Sequence, residues 1–175
     1  MPCSVVLNGL ANPQCFSSKG GITKAWIAVA GSFQPQLSAS GDSIVSGTVT
    51  EFKPYSFRKN TGSMTSTLNV DAAAGVNYIS TELNLVFSKM EVTKRLEIAA
   101  LSVGDLEIIV KDANGTYYFL GYDEPVNATS GEGATGTQAT DGNSYSITFT
   151  DESDSWPFMV TGESTIAALE ALEVA

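Results

Sequence analysis

Between Tyr78 and Phe87 the chain alternates with a period of two: Ile79, Thr81, Leu83, Leu85 and Phe87 on one side, mostly polar residues on the other. A helix would scatter that apolar set around its circumference, whereas a strand gathers it on one face and leaves the other wet. Such a strand needs a sheet to pair in and a second layer over its apolar face. The rest of the chain reads as the supplier of both. Gly20-Gly21 opens a strand over Ile22–Ala30, where Trp26 and β-branched neighbours suit a sheet. Ile44–Phe52 reads as a second strand, Pro54 marks a bend or an edge, and a short strand continues to about Lys59. Met64–Val70 alternates, with Leu68 and Val70 on one face. Lys111-Asp112-Ala113-Asn114-Gly115 separates Leu106–Val110 from Thr116–Tyr122, and Asn-Gly between β-rich runs specifies a hairpin. Tyr145–Thr150 alternates strongly. Val126–Asn143, crowded with Gly, Ser and Thr, reads as a loop with at most one weak strand.

Two stretches change period. Glu91–Leu101 spaces Val92, Arg95, Leu96 and Ala99 as a short amphipathic helix lying on a sheet, with Ser88 or a neighbour as its cap. The tail from Ser164, a good N-cap, through Ile166, Leu169 and Leu172 fits about two helical turns. The prediction is a mainly β protein: a β-sandwich or barrel of about eight strands with one central short helix and a possible C-terminal helix. With 175 residues and no internal repeat or linker, the chain reads as a single β-sandwich domain over 1–175, with an N-terminal arm at 1–19 and a C-terminal segment at 163–175.

Charge divides the chain unevenly. From Asp105 onward there are thirteen acids and a single base, Lys111; Met1–Gly104 carries six acids and eight bases, so the halves are −12 and +2. That asymmetry suits self-association between unlike surfaces and argues against nucleic-acid binding by the acidic half, although an acidic face on a soluble domain would produce it too. No apolar run approaches the roughly 20 residues that span a bilayer, and the N-terminus lacks a basic region before its short apolar stretch, so neither signal peptide nor membrane anchor is expected. Cys3 and Cys15 could close a small loop under oxidising conditions; without an export signal they read as reduced thiols.

Catalysis finds little support. Histidine is absent, which removes the commonest general base and metal ligand, and two cysteines alone make a poor zinc set. Asp123-Glu124 and Asp151-Glu152-Asp154 keep two-carboxylate chemistry formally open but sit in turn-like sequence, and their spacing fails the EF-hand pattern. Gly131-Glu132-Gly133-Ala134-Thr135-Gly136 has a Gly-x-Gly spacing but neither follows an apolar strand nor opens a helix. No enzyme activity, cofactor or metal is expected. Lys53, Tyr55, Phe57, Arg58 and Lys59 interleave basic and aromatic residues. Such a pattern can stack on single-stranded nucleic acid; on a strand it serves better as core or as subunit interface, and the segment is the candidate assembly site.

Two segments carry a resemblance. Cys3 and the run Cys15-Phe16-Ser17-Ser18-Lys19-Gly20-Gly21-Ile22-Thr23-Lys24-Ala25-Trp26-Ile27-Ala28 resemble the N-termini of virion proteins from tailed phages of Bacteroidota-type hosts. Gly121-Tyr122, then Asn143-Ser144-Tyr145-Ser146-Ile147-Thr148-Phe149-Thr150 and Trp156-Pro157-Phe158, resemble the closing strands of phage tail tube proteins. The resemblance implies a β-sandwich subunit that assembles into rings, usually hexamers, whose strands join in a continuous inner barrel. The rings would stack into a tube that conducts DNA without binding it specifically, with other tail or connector proteins as partners and no membrane. Three other readings compete: a head–tail connector or capsid-associated protein, a carbohydrate-binding adhesin using Trp156 as a sugar platform, and an enzyme.

Overall fold

The computed structural model describes residues 9, 18–138 and 140–172. Eleven strands form two sheets, flanked by two helices. The larger sheet takes β1 (Ile22–Val29), β2 (Gln36–Leu37), β3 (Ser43–Ser46), β4 (Lys53–Ser56), β7 (Leu106–Asp112), β8 (Tyr117–Leu120) and β11 (Phe158–Val160), in the order β2-β3-β11-β8-β7-β1-β4. The smaller takes β5 (Ser63–Asp71), β6 (Val76–Ser88), β9 (Asn127–Ala134) and β10 (Ser144–Ser153), in the order β5-β6-β10-β9. Helix α1 (Val92–Leu101) joins β6 to β7, and α2 (Glu163–Ala171) follows β11.

The alternation in β6 settles how the sheets face each other. Ile79, Thr81, Leu83, Leu85 and Phe87 are all buried, and β10 answers with Ile147 and Phe149 at Leu85 and Leu83. These side chains meet Ala25 and Ile27 of β1, Ile108 and Val110 of β7 and Leu120 of β8 to form the inter-sheet core. The larger sheet is also apolar on its far side, as its near-continuous hydrophobic runs demand. There Trp26, Ile109, Tyr117 and Phe119 pack with Phe33, Val49 and Phe52 from the loops and Leu169 of α2. The result is three layers: helix and loops, seven-stranded sheet, four-stranded sheet.

Several expectations are met, with shifted boundaries. The Asn-Gly turn is present: Gly115 holds φ 87°, and Asp112 accepts hydrogen bonds from the N–H groups of Asn114 and Thr116. The strand expected over Ile44–Phe52 ends at Ser46; Val49 and Phe52 reach the core from irregular chain because the Phe33, Phe52 and Phe119 rings stack there. The loop between β1 and β2 that brings Phe33 to this cluster hangs on buried Glu107, whose carboxylate accepts the N–H groups of Gly31 and Phe33 at 2.8 and 2.9 Å. The weak strand in Val126–Asn143 is a full eight-residue edge strand, β9. Neither helix uses a side-chain cap: Glu91 precedes α1, and Gly162 rather than Ser164 caps α2.

The C-terminal segment is integral to the fold. Leu169 is fully buried, and Glu170 takes hydrogen bonds from both Lys111 and Tyr117 at 2.6 Å. The ammonium and hydroxyl donors hold the Glu170 carboxyl below its usual range. The lone base of the acidic half thus fastens α2 to the sheet.

One expectation is reversed. Val92 and Leu96 of α1 were expected to lie on a sheet; they are 72% and 57% exposed. The helix instead inserts Leu101 and leans Ile98 on the core, because its position is set by other contacts. Lys94 donates to the Ser88 carbonyl, and the Tyr55 hydroxyl on β4 donates to Glu97.

Candidate self-assembly interface

The four-stranded sheet ends in two open edges. Among the described residues no strand pairs with the outer edge of β5 or of β9. Both edges are long, nine and eight residues, and neither carries a lysine or a proline. Monomeric proteins commonly blunt such edges with lysine, proline, bulges or a covering segment; of these, β9 has one register shift against β10 between Thr148 and Phe149. Here the strands alternate in direction across the sheet, so β5 and β9 point opposite ways. An edge β5 brought beside an edge β9 of an identical copy therefore continues the antiparallel pattern without a break.

The face of this sheet that points away from the core is equally distinctive. Ser63, Thr65, Thr67, Ser80, Ser144, Ser146, Thr148 and Thr150 supply hydroxyls. Asp71, Glu82, Glu132 and Glu152 supply the charge. The four strands contain no lysine or arginine. No second layer covers this face among the described residues; the seven-stranded sheet lies on the other side. Its polar side chains bond to one another across strands, as in Thr129–Thr150 at 3.0 Å and Asn84–Thr148 at 3.3 Å.

Charge also separates along the strand axis. At the end where β10 finishes, Asp123, Glu124, Glu152 and Asp154 surround a hollow of about 370 Å3 with Tyr78 and Ser153. The sequence showed these as two separate acidic runs; the fold joins them, with the Asp154 N–H donating to Asp123 at 3.2 Å. Beneath them Asp151 is 3% exposed, and one carboxylate oxygen has no protein partner. Burial pushes its pKa up to about 6, with the Asp123 and Glu124 charges adding to the rise. Among the described residues no three Asp, Glu, Cys or His side chains are placed to hold a metal ion. The opposite end of the sheet, beyond Ser88 and before Ser63, presents Arg58, Lys59, Lys89, Lys94 and Arg95, with Glu91 paired to Lys89 at 2.6 Å and Asp141 in the β9–β10 connection at the same end.

A folded-state pKa above the unfolded value means that native protein holds the proton more tightly. Stability contributed by Asp151 is therefore present at acid pH and lost as pH rises through about 6. Asp151→Asn should raise unfolding free energy by about 2 kcal/mol at pH 7.5 and change it little at pH 4. Urea melts at the two pH values check this; an equal effect at both refutes the titration.

The sequence-predicted assembly residues divide. Tyr55 and Phe57 are half-buried and set their rings against Phe87 at 6.1 and 6.4 Å, so the aromatics serve the core margin. Burial raises the Tyr55 pKa and Glu97 raises it further. Lys53 is exposed on β4, the edge of the larger sheet; Arg58 and Lys59 are exposed on the loop beyond it. Lys59 also borders an apolar recess with Gly21, Ile22 and Phe57. Sequence reasoning allows only a weak strand where β9 lies, since its glycines read as loop, and does not place it at an edge. It also left open which acids share a face, which follows only from strand register. Of the tryptophans, Trp26 is fully buried and Trp156 is 55% exposed, as expected for the latter. Cys3 and Cys15 lie outside the described residues.

No family model, curated protein or solved structure matches this chain. No helix among the described residues is long and apolar enough to cross a membrane.

Proposed function

We propose that the protein is a structural, non-enzymatic subunit that closes into rings through its four-stranded sheet and stacks those rings into a hollow tube, in the manner of a phage tail tube. The observation that supports this best is the sheet with two bare, oppositely directed edges. Joining β5 of one copy to β9 of the next is a head-to-tail contact, which generates a ring when the rotation closes and leaves no edge unpaired. The uncovered face then lines the channel. Its hydroxyls wet the wall, and its acids, with no base among them, repel phosphate, so DNA passes without being gripped.

Stacking draws on the charge separation along the strands. The Asp123, Glu124, Glu152 and Asp154 end of one ring meets the Arg58, Lys59, Lys94 and Arg95 end of the next, and unlike ends favour a single head-to-tail direction. The virion tail, assembled in the host cytoplasm, is the location this reading gives. A connector would use the same edges to form one ring without stacking. The exposed Trp156 favours the glycan-binding alternative, in which Trp156→Ala would abolish sugar binding by a monomer.

Negative-stain electron microscopy across protein concentration and salt tests the proposal. Uniform rings that stack into hollow tubes, shortening as salt screens the charged ends, are expected. Monomers under every condition overturn it. Arg58→Glu combined with Lys59→Glu should leave monomers folded and rings intact while shortening tubes several-fold. Tubes of undiminished length would remove these residues from the stacking contact.

A further inference from the structure

Helix α1 has the apolar face that its sequence predicts, yet in the isolated chain that face meets nothing: Val92, Leu96 and Val103, just beyond the helix, are exposed. A second apolar strip lies on the β5–β6 hairpin. Leu68 and Val70 continue the core-side row begun by Met64. However, β10 ends at Ser153, opposite Ile79, and the hairpin runs on past it. Leu68 lies level with that end and Val70 beyond it, and they are 49% and 65% exposed although they point to the core side of the sheet. Two unpartnered aliphatic strips on one small domain are unusual enough to require covering.

We infer that the two strips cover each other between neighbouring copies, the hairpin underside of one subunit lying on α1 of the next. This rests on the ring reading above. Helix α1 closes the corner of the sandwich between β4 and the β9 side of the smaller sheet. Tyr55 on β4 bonds Glu97, and Met90, just before the helix, packs against β9 closely enough that a Cβ on Gly133 would touch it at 3.0 Å. The chain leaving α1 returns to the start of β9, where Leu106 and Val126 exchange backbone hydrogen bonds. A neighbour's β5 laid along β9 therefore carries its core-side residues over α1, not over solvent. The occupant is thus a second copy of this chain, held at the seam by strand pairing and behind it by aliphatic packing.

Three variants test the contact: Leu68→Glu, Leu96→Lys, and the two combined. Both side chains are exposed in the monomer, and circular dichroism and thermal melts are expected to show variants as stable as wild type. Each single change buries an unpaired charge at every seam and should raise the concentration needed for ring formation by ~10-fold or more. The double variant sets the new ammonium on one copy's helix against the new carboxylate on the next copy's hairpin, and should recover most of the loss. Single variants that form rings at the wild-type concentration overturn this contact while leaving the strand-paired ring intact. A double variant no better than the singles also overturns it. Wild-type protein that forms no rings overturns the ring itself.

Discussion

Proline at whichever of Thr67 and Leu68 turns its N–H to the open edge abolishes ring formation while the monomer remains folded. Both residues sit in the middle of β5, an edge strand without a bulge. Successive N–H groups of a strand point alternately toward the paired neighbour and toward the open side. One of the two substitutions therefore removes a donor from the open edge, and the other instead removes one donor of the β5–β6 ladder, at about 1 kcal/mol. The first places a pyrrolidine ring where the neighbouring β9 must approach, and proline is tolerated on an edge but cannot take part in a two-sided ladder; the second turns its ring toward β6 and serves as the comparison. The expected result is a monomer that melts within a few degrees of wild type and shows no rings at any concentration where wild type assembles. Size-exclusion chromatography with light scattering, followed by electron microscopy, reads both. Rings from both variants would mean that β5 is not the seam.

Gly162→Ala carries the largest expected cost in stability. Gly162 has an ordinary φ of −69°, so backbone freedom is not the reason for glycine here. The reason is proximity: a Cβ at this position would collide with the carbonyl oxygen of Val45, a backbone atom that cannot swing aside. Thr161 and Gly162 both donate to Ile44 at 2.8 and 3.3 Å, which holds the entry to α2 flat against β3. A methyl group wedged there separates β11 from β3 and lifts Leu169 from the far-side core, for about 3 kcal/mol. Gly20→Ala, where no atom lies within 4 Å of the new Cβ, is the matched control and should be neutral to within ~0.5 kcal/mol. Urea midpoints compare the two; a wild-type midpoint for Gly162→Ala would show that the β3–α2 junction yields.

The legible part of the fold is the part set by local pattern. The period of two in β6 and β10, the Asn-Gly turn at Gly115 and the apolar runs of β1 and β7 each specify their own conformation. A strand or turn depends on side-chain alternation and φ within a few residues. β9 shows in the sequence only as a weak strand because Gly131 and Gly133 carry no side chain to show alternation, and its pairing is supplied by β10. The long strand expected through Phe52 failed for the converse reason: Val49 and Phe52 are apolar because aromatic packing needs them, not because the backbone there is extended.

The candidate site was legible only in outline. Charge asymmetry was in the sequence, but the gathering of Asp123-Glu124 with Glu152 and Asp154 depends on a long-range return of the chain. Interleaved Lys53–Lys59 suggested one surface, whereas tertiary packing turns Tyr55 and Phe57 inward and leaves the cations outside.

The order of residues thus dictates a mainly β chain with a one-sided strand, a hairpin and two short helices, since those follow from periodicity and turn chemistry over short distances. Which edges stay bare, which acids share a base-free face, and which side of α1 meets the core emerge only when the sheets assemble. Those outcomes depend on strand order and register among segments far apart in sequence, where the free energy lies in contacts that no local window contains.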